Sequence, residues 1–181
     1  MPSLAYRLLV AFSVLAFAVA ALADEQQPTA HASLIGTDGQ PVGEATFTQG
    51  PTGTLILVQL HGLPPGPHGT HLHAVGQCDP AGGFDSAGSH IGADGHMHGL
   101  LANGGPHPGD LPSIDVDAAG QANVEFFNAL VAVVPGEGTS FALLDGDGSA
   151  IVVHESADDQ VTQPGGGTGK RIACGIIEKT D

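Results

Sequence analysis

His71 and His73 stand two residues apart in Gly69–Val75, a segment in which apolar residues partly alternate with polar ones. Side chains two positions apart on a β-strand point to the same face, about 7 Å from each other along the chain. Two imidazoles in that arrangement can bind one metal ion. The pattern alone is weak, because a strand with two exposed histidines would look the same.

Further side chains of metal-binding type follow in a long segment, Gln77–Pro112, which is rich in Gly, His, Pro and Asp. It carries His90, His98 and His107, and Asp110 comes three residues after His107. Three ring nitrogens and one carboxylate oxygen make a closed tetrahedral set that zinc accepts. Long loops in a compact domain are usually functional or disordered, and the content of this loop favours function.

The last candidate is His154, which ends the apolar segment Ala150–Val153. A single histidine at such a position is more often a packed, hydrogen-bonded residue than a ligand, so its weight comes from the other candidates. Together these residues predict metal binding. They do not select the metal, because imidazole-rich sites suit zinc, copper, iron and nickel.

Short β-strands are predicted to position these side chains. Clusters of Gly, Pro, Asn and Asp separate the strand segments, and the sequence shows neither a long helical period nor a repeat. Evenly spaced short strands in a chain with 28 Gly and 13 Pro indicate one antiparallel sandwich or barrel domain. The predicted strands are His31–Ile35, Glu44–Thr48, Thr54–His61, Gly69–Val75, Ala122–Phe127, Thr139–Leu144, Ala150–His154 and Ile172–Ile177.

The N-terminus predicts export. Arg7 precedes the apolar run Leu8–Ala20, and Ala21-Leu22-Ala23 then supplies small residues at the two positions that a signal peptidase reads. These features are typical of a secretory signal peptide over residues 1–23, and the run is shorter than the roughly 20 residues of a spanning helix. A flexible leader over residues 24–30 and one domain over residues 31–181 complete the predicted organisation.

Charge and cysteine content restrict the partners and the compartment. Four Lys and Arg stand against 19 Asp and Glu, and loss of Arg7 with the signal peptide takes the formal charge from −15 to −16. Nucleic acid and anionic membrane surfaces are therefore not expected partners. Cys78 and Cys174 indicate one disulfide in an exported chain, with two buried thiols as the alternative.

Five segments resemble, in family order, the signatures of copper,zinc superoxide dismutases of the bacterial, exported type. They resemble in turn the copper-binding strand, the segment of the metal-bridging histidine, the zinc loop, the last copper-ligand segment and the C-terminal signature. The segments are Gly66–His73, Ser86–His90, His98-Gly99 with Gly105–Leu111, Val152–Asp159 and Gly169–Ile177. The resemblance therefore extends over residues 66–177.

This resemblance implies one copper site and one zinc site per subunit, with one ligand in common. Copper would bind four histidines, and zinc would bind three histidines and a carboxylate. The implied copper ligands are His71, His73, His90 and His154, and the implied zinc ligands are His90, His98, His107 and Asp110. His90 would thus bridge the two ions.

Two further residues take roles at the site by the same resemblance. Asp158 would link His71 to His98, as an acceptor that orients metal-bound histidines. Arg171 would lie beside the open face of copper and hold the incoming anion. The two cysteines would form the disulfide of the family, which ties the metal loop to the last strand.

Four of the ten histidines are not expected to bind metal. His96 stands two residues before His98 and could claim the same position, but His98 begins the His-Gly pair of the family pattern. His68 matches a family position that supports the site without binding metal. His31 is interpreted as a surface residue and His61 as a strand residue, and neither is expected to be a ligand.

The fold implied by the resemblance is all-β: a flattened, eight-stranded Greek-key barrel or sandwich with a long metal-binding loop. The implied activity converts two superoxide anions into dioxygen and hydrogen peroxide by Cu(II)/Cu(I) cycling, with a structural zinc. His90 would leave reduced copper and pick up a proton while it stays on zinc. We expect weaker steering of superoxide than in the best relatives, because the loop Glu155–Lys170 has one lysine against three acids.

The same resemblance implies a periplasmic or secreted protein and allows a homodimer. Three alternatives to the dismutase remain at this point. A copper-storage or copper-delivery protein on the same fold would need a closed copper face or the loss of Arg171, and a metal-free relative would lack ligands. Hydrolytic zinc chemistry would need an open position on zinc, whereas the matched set is closed at four ligands.

Overall fold

The computed structural model describes residues 27–136 and 141–180. The predicted signal peptide and residues 24–26 of the predicted leader lie outside the described residues, as do Thr139 and Ser140 of one predicted strand. The strands are β1 Thr29–Gly36, β2 Pro41–Gly50, β3 Gly53–Leu60, β4 Gly66–His68, β5 Thr70–His73, β6 Ile114–Val116, β7 Ala122–Asn128, β8 Ser149–His154 and β9 Arg171–Lys179. A 3-10 turn spans Asp85–Ala87.

The strands form one large and one small antiparallel sheet. Seven of them are ordered β5-β8-β9-β1-β2-β3-β7, and β4 pairs with β6. One residue separates β4 from β5, and β6 contacts β7, so the small sheet lies between the two edge strands of the large one. The pairs β1–β9 and β3–β7 join strands that are distant in the chain, as in a Greek key. The predicted all-β Greek-key class is confirmed.

Side chains at alternate positions of the strands form the main core. On β1 the side chains of Ala30, Ala32 and Leu34 are fully buried, while their neighbours are exposed or half-buried. On β3 the same alternation buries Ile56 and Val58. Because successive strand residues point to opposite faces, one face of the sheet lines the core and the other faces solvent.

Strand β8 departs from this alternation, since all six of its residues are buried. Its inward side chains join the main core, whereas Ala150 and Val152 join a second cluster with Phe84, Ala87 and Cys174. The first part of the long loop therefore covers the outer face of β8. The disulfide Cys78–Cys174 fixes this part of the loop to β9 across a sequence separation of 96. In the chain-entropy model, such a cross-link stabilises the fold by about 4–5 kcal/mol.

The structure corrects the strand prediction in three places. Residues 141–144 form only an isolated bridge, from Ala142 to Ala132. The apolar Leu143, which looked like a strand residue in the sequence, is buried by the packing of a loop. Both strands of the small sheet, β4 and β6, were missed. Strand β1 begins at Thr29, two residues before its predicted start at His31, because Thr29 and Ala30 pair with Thr48 and Phe47 of β2. Within residues 27–136 and 141–180, no helix has the length and apolar character needed to cross a membrane.

Candidate metal centre

Strand β5 carries the His-x-His pair at the edge of the large sheet. It pairs with β8, and Leu72 between the two histidines points into the main core. His71 and His73 therefore share the opposite face, as their spacing predicts. His154 ends β8 beside them, with its ring centroid 4.8 Å from that of His71 and 5.9 Å from that of His73.

Two stretches of the long loop pair with the free edge of β5. The amide of Ile91 donates to the carbonyl oxygen of Leu72 at 2.9 Å, and the amide of Leu72 donates to the carbonyl oxygen of Gly109 at 2.8 Å. A side chain at Gly109 would collide with the Leu72 carbonyl, so this close approach requires glycine. The pairing brings His90 opposite His73 and Asp110 opposite His71.

Four buried histidines meet on the strand side of the site, and we call this group the copper half. The names of the copper half and of the zinc half below follow the metals that the sequence resemblance implies. His71, His73, His90 and His154 each offer one ring nitrogen, and these nitrogens lie within 4.8 Å of one another. Among the described residues, the buried side-chain atoms without a hydrogen-bond partner are Nδ1 of His71 and Nε2 of His73 and His154. A buried polar atom without a partner costs about 1–3 kcal/mol, and a cation would satisfy all three atoms.

The tautomer of each of these rings is set by its second nitrogen. Nε2 of His71 donates to Oδ2 of Asp158 at 2.6 Å, and Nδ1 of His73 donates to the carbonyl oxygen of Gly88 at 2.9 Å. Nδ1 of His154 lies 3.1 Å from the hydroxyl oxygen of Thr168. The remaining lone pairs therefore face the shared space, which is the arrangement that a metal ion requires.

Burial keeps three histidines of the copper half, His71, His73 and His154, neutral. Desolvation lowers the pKa of His71 to about 4, although its hydrogen bond to Asp158 opposes this, and it lowers the pKa of His154 to about 3. The pKa of His73 is also held well below its ordinary value by burial, with His90 adding to the effect. At neutral pH these imidazoles are in the unprotonated form that binds metal.

Asp110 organises the loop side of the site, which we call the zinc half. Its Oδ1 lies 2.9 Å from Nδ1 of His90, 2.9 Å from Nδ1 of His98 and 3.3 Å from Nδ1 of His107. Its Oδ2 accepts the amide protons of Gly99 at 2.7 Å and His107 at 2.9 Å. The carboxylate is thus fixed with one oxygen facing three ring nitrogens, a donor set that suits zinc.

His71 and His107 compete for the fourth place in this set. A purely distance-based grouping puts His71 with His90, His98 and Asp110. However, the one free lone pair of His71 already belongs to the copper half. Nε2 of His107 donates to the His96 carbonyl at 3.1 Å, which leaves its Nδ1 facing the zinc half. The hydrogen bonds therefore favour His107.

The zinc half holds a proton where the copper half does not. Burial alone would lower the pKa of His98, but hydrogen bonds to Asp110 and Asp158 outweigh it and raise the pKa to about 9. Burial alone would raise the pKa of both carboxyl groups, but the hydrogen bonds from the histidines lower it below the ordinary range. A metal ion bound here would replace that proton on His98.

Asp158 joins the two halves. Its Oδ2 accepts from His71 and its Oδ1 accepts from Nε2 of His98 at 3.1 Å. The amide of Gln160 also donates to Oδ1, and the amide of Asp158 donates to the hydroxyl of Ser113 at 3.0 Å. The side chain is fully buried, so it orients both histidines without competition from solvent.

Arg171 lies on the wall of a cavity of about 490 Å³ that opens onto the copper half. Its guanidinium donates to the carbonyl oxygens of Phe84 and Gly88, each at 2.8 Å. The Gly88 carbonyl also accepts from His73, so a single backbone group fixes both the cation and a ring of the copper half. This arrangement holds a positive charge on the cavity wall through two backbone carbonyls.

The other histidines lie outside both halves. His96 is exposed, with its ring 6.4 Å from that of Phe141. His68 is buried between the carbonyl oxygens of His154 and Pro64, at 2.6 Å and 2.8 Å. His31 is half-buried 3.6 Å from Glu44, and the exposed His61 follows the last residue of β3.

Three polar side chains around the site carried no signal in the sequence. Gln163 accepts the amide proton of His98 at 2.8 Å and donates to its carbonyl oxygen at 2.9 Å, so its side chain fixes both backbone polar groups of His98. Gln160 accepts from the amide of Leu100 and donates to the carbonyl oxygen of Leu111, near the two ends of the zinc loop. Thr168 contacts His154. Their roles depend on how the loop 155–170 lies over the zinc loop, which local sequence does not reveal.

Comparisons with known proteins agree with this geometry. Residues 42–177 match the family described as copper/zinc superoxide dismutase (SODC). A Cu-Zn superoxide dismutase of Caulobacter vibrioides is 46% identical over 142 residues, 78% of this chain and 80% of that protein. Cu-Zn superoxide dismutase 2 of Aquifex aeolicus is 41% identical over 153 residues, 84% and 88% of the two chains.

A solved structure supports the same conclusion for the fold. The crystal structure of a SOD-like protein from Bacillus subtilis superimposes with a TM-score of 0.74 at 34% sequence identity, covering 80% of this chain and 95% of that one. The matched region includes every residue of both halves of the site. The chain belongs to the copper/zinc superoxide dismutase family, an oxidoreductase family with copper and zinc as its cofactors.

Proposed function

We propose that this protein disproportionates superoxide with copper bound in the copper half and zinc bound in the zinc half. Two superoxide anions and two protons become one dioxygen and one hydrogen peroxide. The proposed copper ligands are His71, His73, His90 and His154, and the proposed zinc ligands are His90, His98, His107 and Asp110. The observation that carries the proposal is the set of three buried, unpartnered ring nitrogens beside a cavity with Arg171 on its wall.

Bound copper supplies the one-electron couple for the reaction, and Arg171 supplies the binding site for the anion. Because two backbone carbonyls hold the guanidinium, its charge is in place before substrate arrives. A fixed charge loses little conformational freedom when an anion binds, which makes the interaction more favourable. The same charge attracts superoxide locally, against the negative charge of the whole chain.

His90 is the residue that we propose to deliver a proton to the product. Its Nδ1 faces Asp110 in the zinc half, so that end of the ring is held. Its Nε2 faces the cavity wall at Gly165, where the missing side chain leaves the ring edge accessible. A proton carried on Nε2 would therefore lie at the place where peroxide leaves.

The decisive test is superoxide decay, measured with purified protein loaded with copper and zinc. We expect Arg171→Ala to lower the rate at low salt by about tenfold or more, because the local positive charge is lost. The rate of the parent should also fall more steeply with salt than that of the variant. Lys179→Ala, at the exposed end of β9, is the matched control for loss of a cation and should leave both properties unchanged.

The result of this assay also separates the enzyme from a copper-storage or copper-delivery protein. Absence of decay above free-copper controls, with both metals still bound, would refute the dismutase proposal. A storage protein has no need of a cavity with a fixed cation beside its metal. We therefore favour the enzyme on the position of Arg171.

We propose that the chain is exported to the periplasm or secreted after removal of residues 1–23. The disulfide supports this proposal, because disulfides persist in oxidising compartments. Expression in a bacterial host followed by mass analysis of the mature protein tests it, with Asp24 expected as the first residue. An unprocessed chain retained in the cytoplasm would contradict it.

The proposal includes a homodimer. Leu55 and Phe127 are register partners on β3 and β7, and both are exposed, at 39% and 58%. Large apolar side chains grouped on a surface are typical of interaction sites. Sedimentation at micromolar concentration tests this assembly, and a monomer at every concentration would rule it out.

A further inference from the structure

Thr168 is a buried polar residue of the copper half that the proposed ligands and motifs leave unexplained. It precedes β9 in the loop over the cavity, and it is 4% exposed. Its hydroxyl oxygen lies 3.1 Å from Nδ1 of His154 and 2.9 Å from the carbonyl oxygen of Gly165. A hydroxyl with two buried partners must donate to one of them and accept from the other.

The direction of these two hydrogen bonds follows from the chemistry of the partners. The Gly165 carbonyl can only accept, so the single proton of Thr168 goes to it. The hydroxyl oxygen must then accept from His154, which therefore carries its proton on Nδ1. The Gly169 carbonyl requires the same tautomer, but at 3.5 Å it lies at the limit of hydrogen-bonding distance. Nε2 keeps its lone pair, and this atom is buried without a partner.

Three rings of the copper half, those of His71, His73 and His154, differ in how firmly they are oriented. His71 donates to a carboxylate at 2.6 Å and His73 donates to a carbonyl at 2.9 Å, and both of these acceptors can only accept. His154 faces a hydroxyl, which can turn round and donate. Its tautomer is therefore fixed only as long as Gly165 takes the hydroxyl proton. The orientation of His154 is the most sensitive of the three to a single side-chain change.

The methyl group of Thr168 fixes the position of the hydroxyl. A side chain at Gly69 would collide with Cγ2 of Thr168, so the methyl fills the space that this glycine leaves. The carbonyl of Gly69 in turn accepts the amide proton of His154 at 2.9 Å. Thr168 thus sits between a strand backbone and the ring that it orients, with little freedom to rotate.

We propose that Thr168 is a positioning residue for His154: its hydroxyl holds the ring proton on Nδ1 and thereby presents Nε2 to copper. The identity of the metal rests on the proposed function. The tautomer does not, because it is a property of the protein before copper binds. The two claims can therefore fail separately.

The first experiment reads the tautomer directly, by nitrogen-15 NMR of the histidine rings in the protein loaded with zinc alone. In the parent, His154 should show one tautomer with the proton on Nδ1. Thr168→Val keeps the methyl packing and removes the hydroxyl, and we expect a mixture of tautomers. Thr168→Ser keeps the hydroxyl and should restore the single form. A single Nδ1–H tautomer in the valine variant would overturn the proposal.

The second experiment reads the consequence for copper. In competition titrations of the zinc-loaded protein, Thr168→Val should weaken copper(II) binding about 10- to 100-fold, the usual effect of losing an orienting partner. Its copper(II) EPR spectrum should also change, and Thr168→Ser should rescue both properties. Thr162→Val removes a hydroxyl that bonds Asp159 in the same loop, and it should leave both properties unchanged.

Each outcome of the copper titration has one meaning. Unchanged affinity and an unchanged spectrum in the valine variant would refute the role of Thr168 while leaving the copper site intact. Weak binding in the serine variant, equal to that of valine, would assign the effect to the methyl and also refute the proposal. Failure of the parent itself to bind copper would refute the proposed copper site, whatever tautomer the NMR shows.

Discussion

The two halves of the site solve the problem of holding a cation in opposite ways. Three histidines of the copper half stand on β5 and β8, and one ring nitrogen of each has no hydrogen-bond partner among residues 27–136 and 141–180. The zinc half stands on a loop, and Asp110 gives each of its three ring nitrogens a contact. Strands of a packed sheet hold these lone pairs apart, whereas the loop turns its ring nitrogens toward one shared carboxylate.

This difference has an energetic consequence. The copper half keeps unsatisfied buried atoms ready, at a cost in stability that the sheet and the disulfide offset. The zinc half is satisfied without metal but stores a proton on His98. Binding at the first half therefore removes a penalty, and binding at the second exchanges a proton for a metal ion.

The largest expected effect comes from the carboxylate that defines the zinc half. Asp110→Asn removes one of four ligands, and a quarter of a typical structural zinc binding energy is about 3 kcal/mol, or roughly 100-fold in zinc affinity. Competition titration with a zinc chelator measures the loss. Asp115→Asn, an exposed aspartate on β6, is the control and should bind zinc like the parent. Equal zinc affinity in both variants would remove Asp110 from the ligand set.

A smaller effect on both halves is expected at Asp158. Asp158→Asn weakens the acceptor that orients His71 and His98, and such outer partners are typically worth 10- to 100-fold in metal affinity. Copper and zinc affinity should fall together, although Asp158 is proposed to bind neither metal itself. Asp159→Asn is the matched control, because Asp159 bonds only its own loop. Loss of one metal alone would show that the halves are independent.

The smallest expected effect is on the pH dependence of the free energy of unfolding in the metal-free protein. The two halves should change this free energy in opposite directions as pH rises. His71 and His154 have lowered pKa values, about 4 and 3, so the unfolded chain takes up protons first as pH falls below 6.5. The free energy of unfolding should then fall by up to about 1.4 kcal/mol per pH unit for each group. His98 has a raised pKa of about 9, so its stabilising contribution is complete below 6.5 and is lost as pH rises to 9.

Denaturant unfolding of metal-free protein from pH 4 to pH 10 measures this profile, which should have a maximum near pH 6.5. His98→Gln should remove most of the alkaline decline and leave the acid decline in place. A profile that is flat on both sides would contradict the electrostatic difference between the halves. Loading with both metals should flatten the curve, because the ligands no longer exchange protons with solvent.

Sequence reasoning reached the copper half more directly than the zinc half. A period of two places His71 and His73 on one face without knowledge of the fold, since it depends only on strand geometry. The separation of His98 from His96 came from family resemblance, and the structure places His98 among the site residues and leaves His96 exposed. No local rule predicts which loop residues converge around Asp110.

The errors have the same physical origin. Residues 141–144 are apolar, but among them only Leu143 is buried and only Ala142 makes a bridge, so an apolar loop segment looks like a strand in the sequence. Gln160, Gln163 and Thr168 act because the loop 155–170 folds over the zinc loop, and this contact is long-range. Local pattern predicts strands and their faces, but it does not predict which loops cover them.

The most direct test of the two-half account is anomalous X-ray diffraction from crystals of protein loaded with copper and zinc, recorded at both absorption edges. The account predicts two separate peaks. One should be copper among His71, His73 and His154, and the other zinc among His98, His107 and Asp110, with His90 next to both. A single shared peak, or zinc bound by His96 in place of His98, would contradict it.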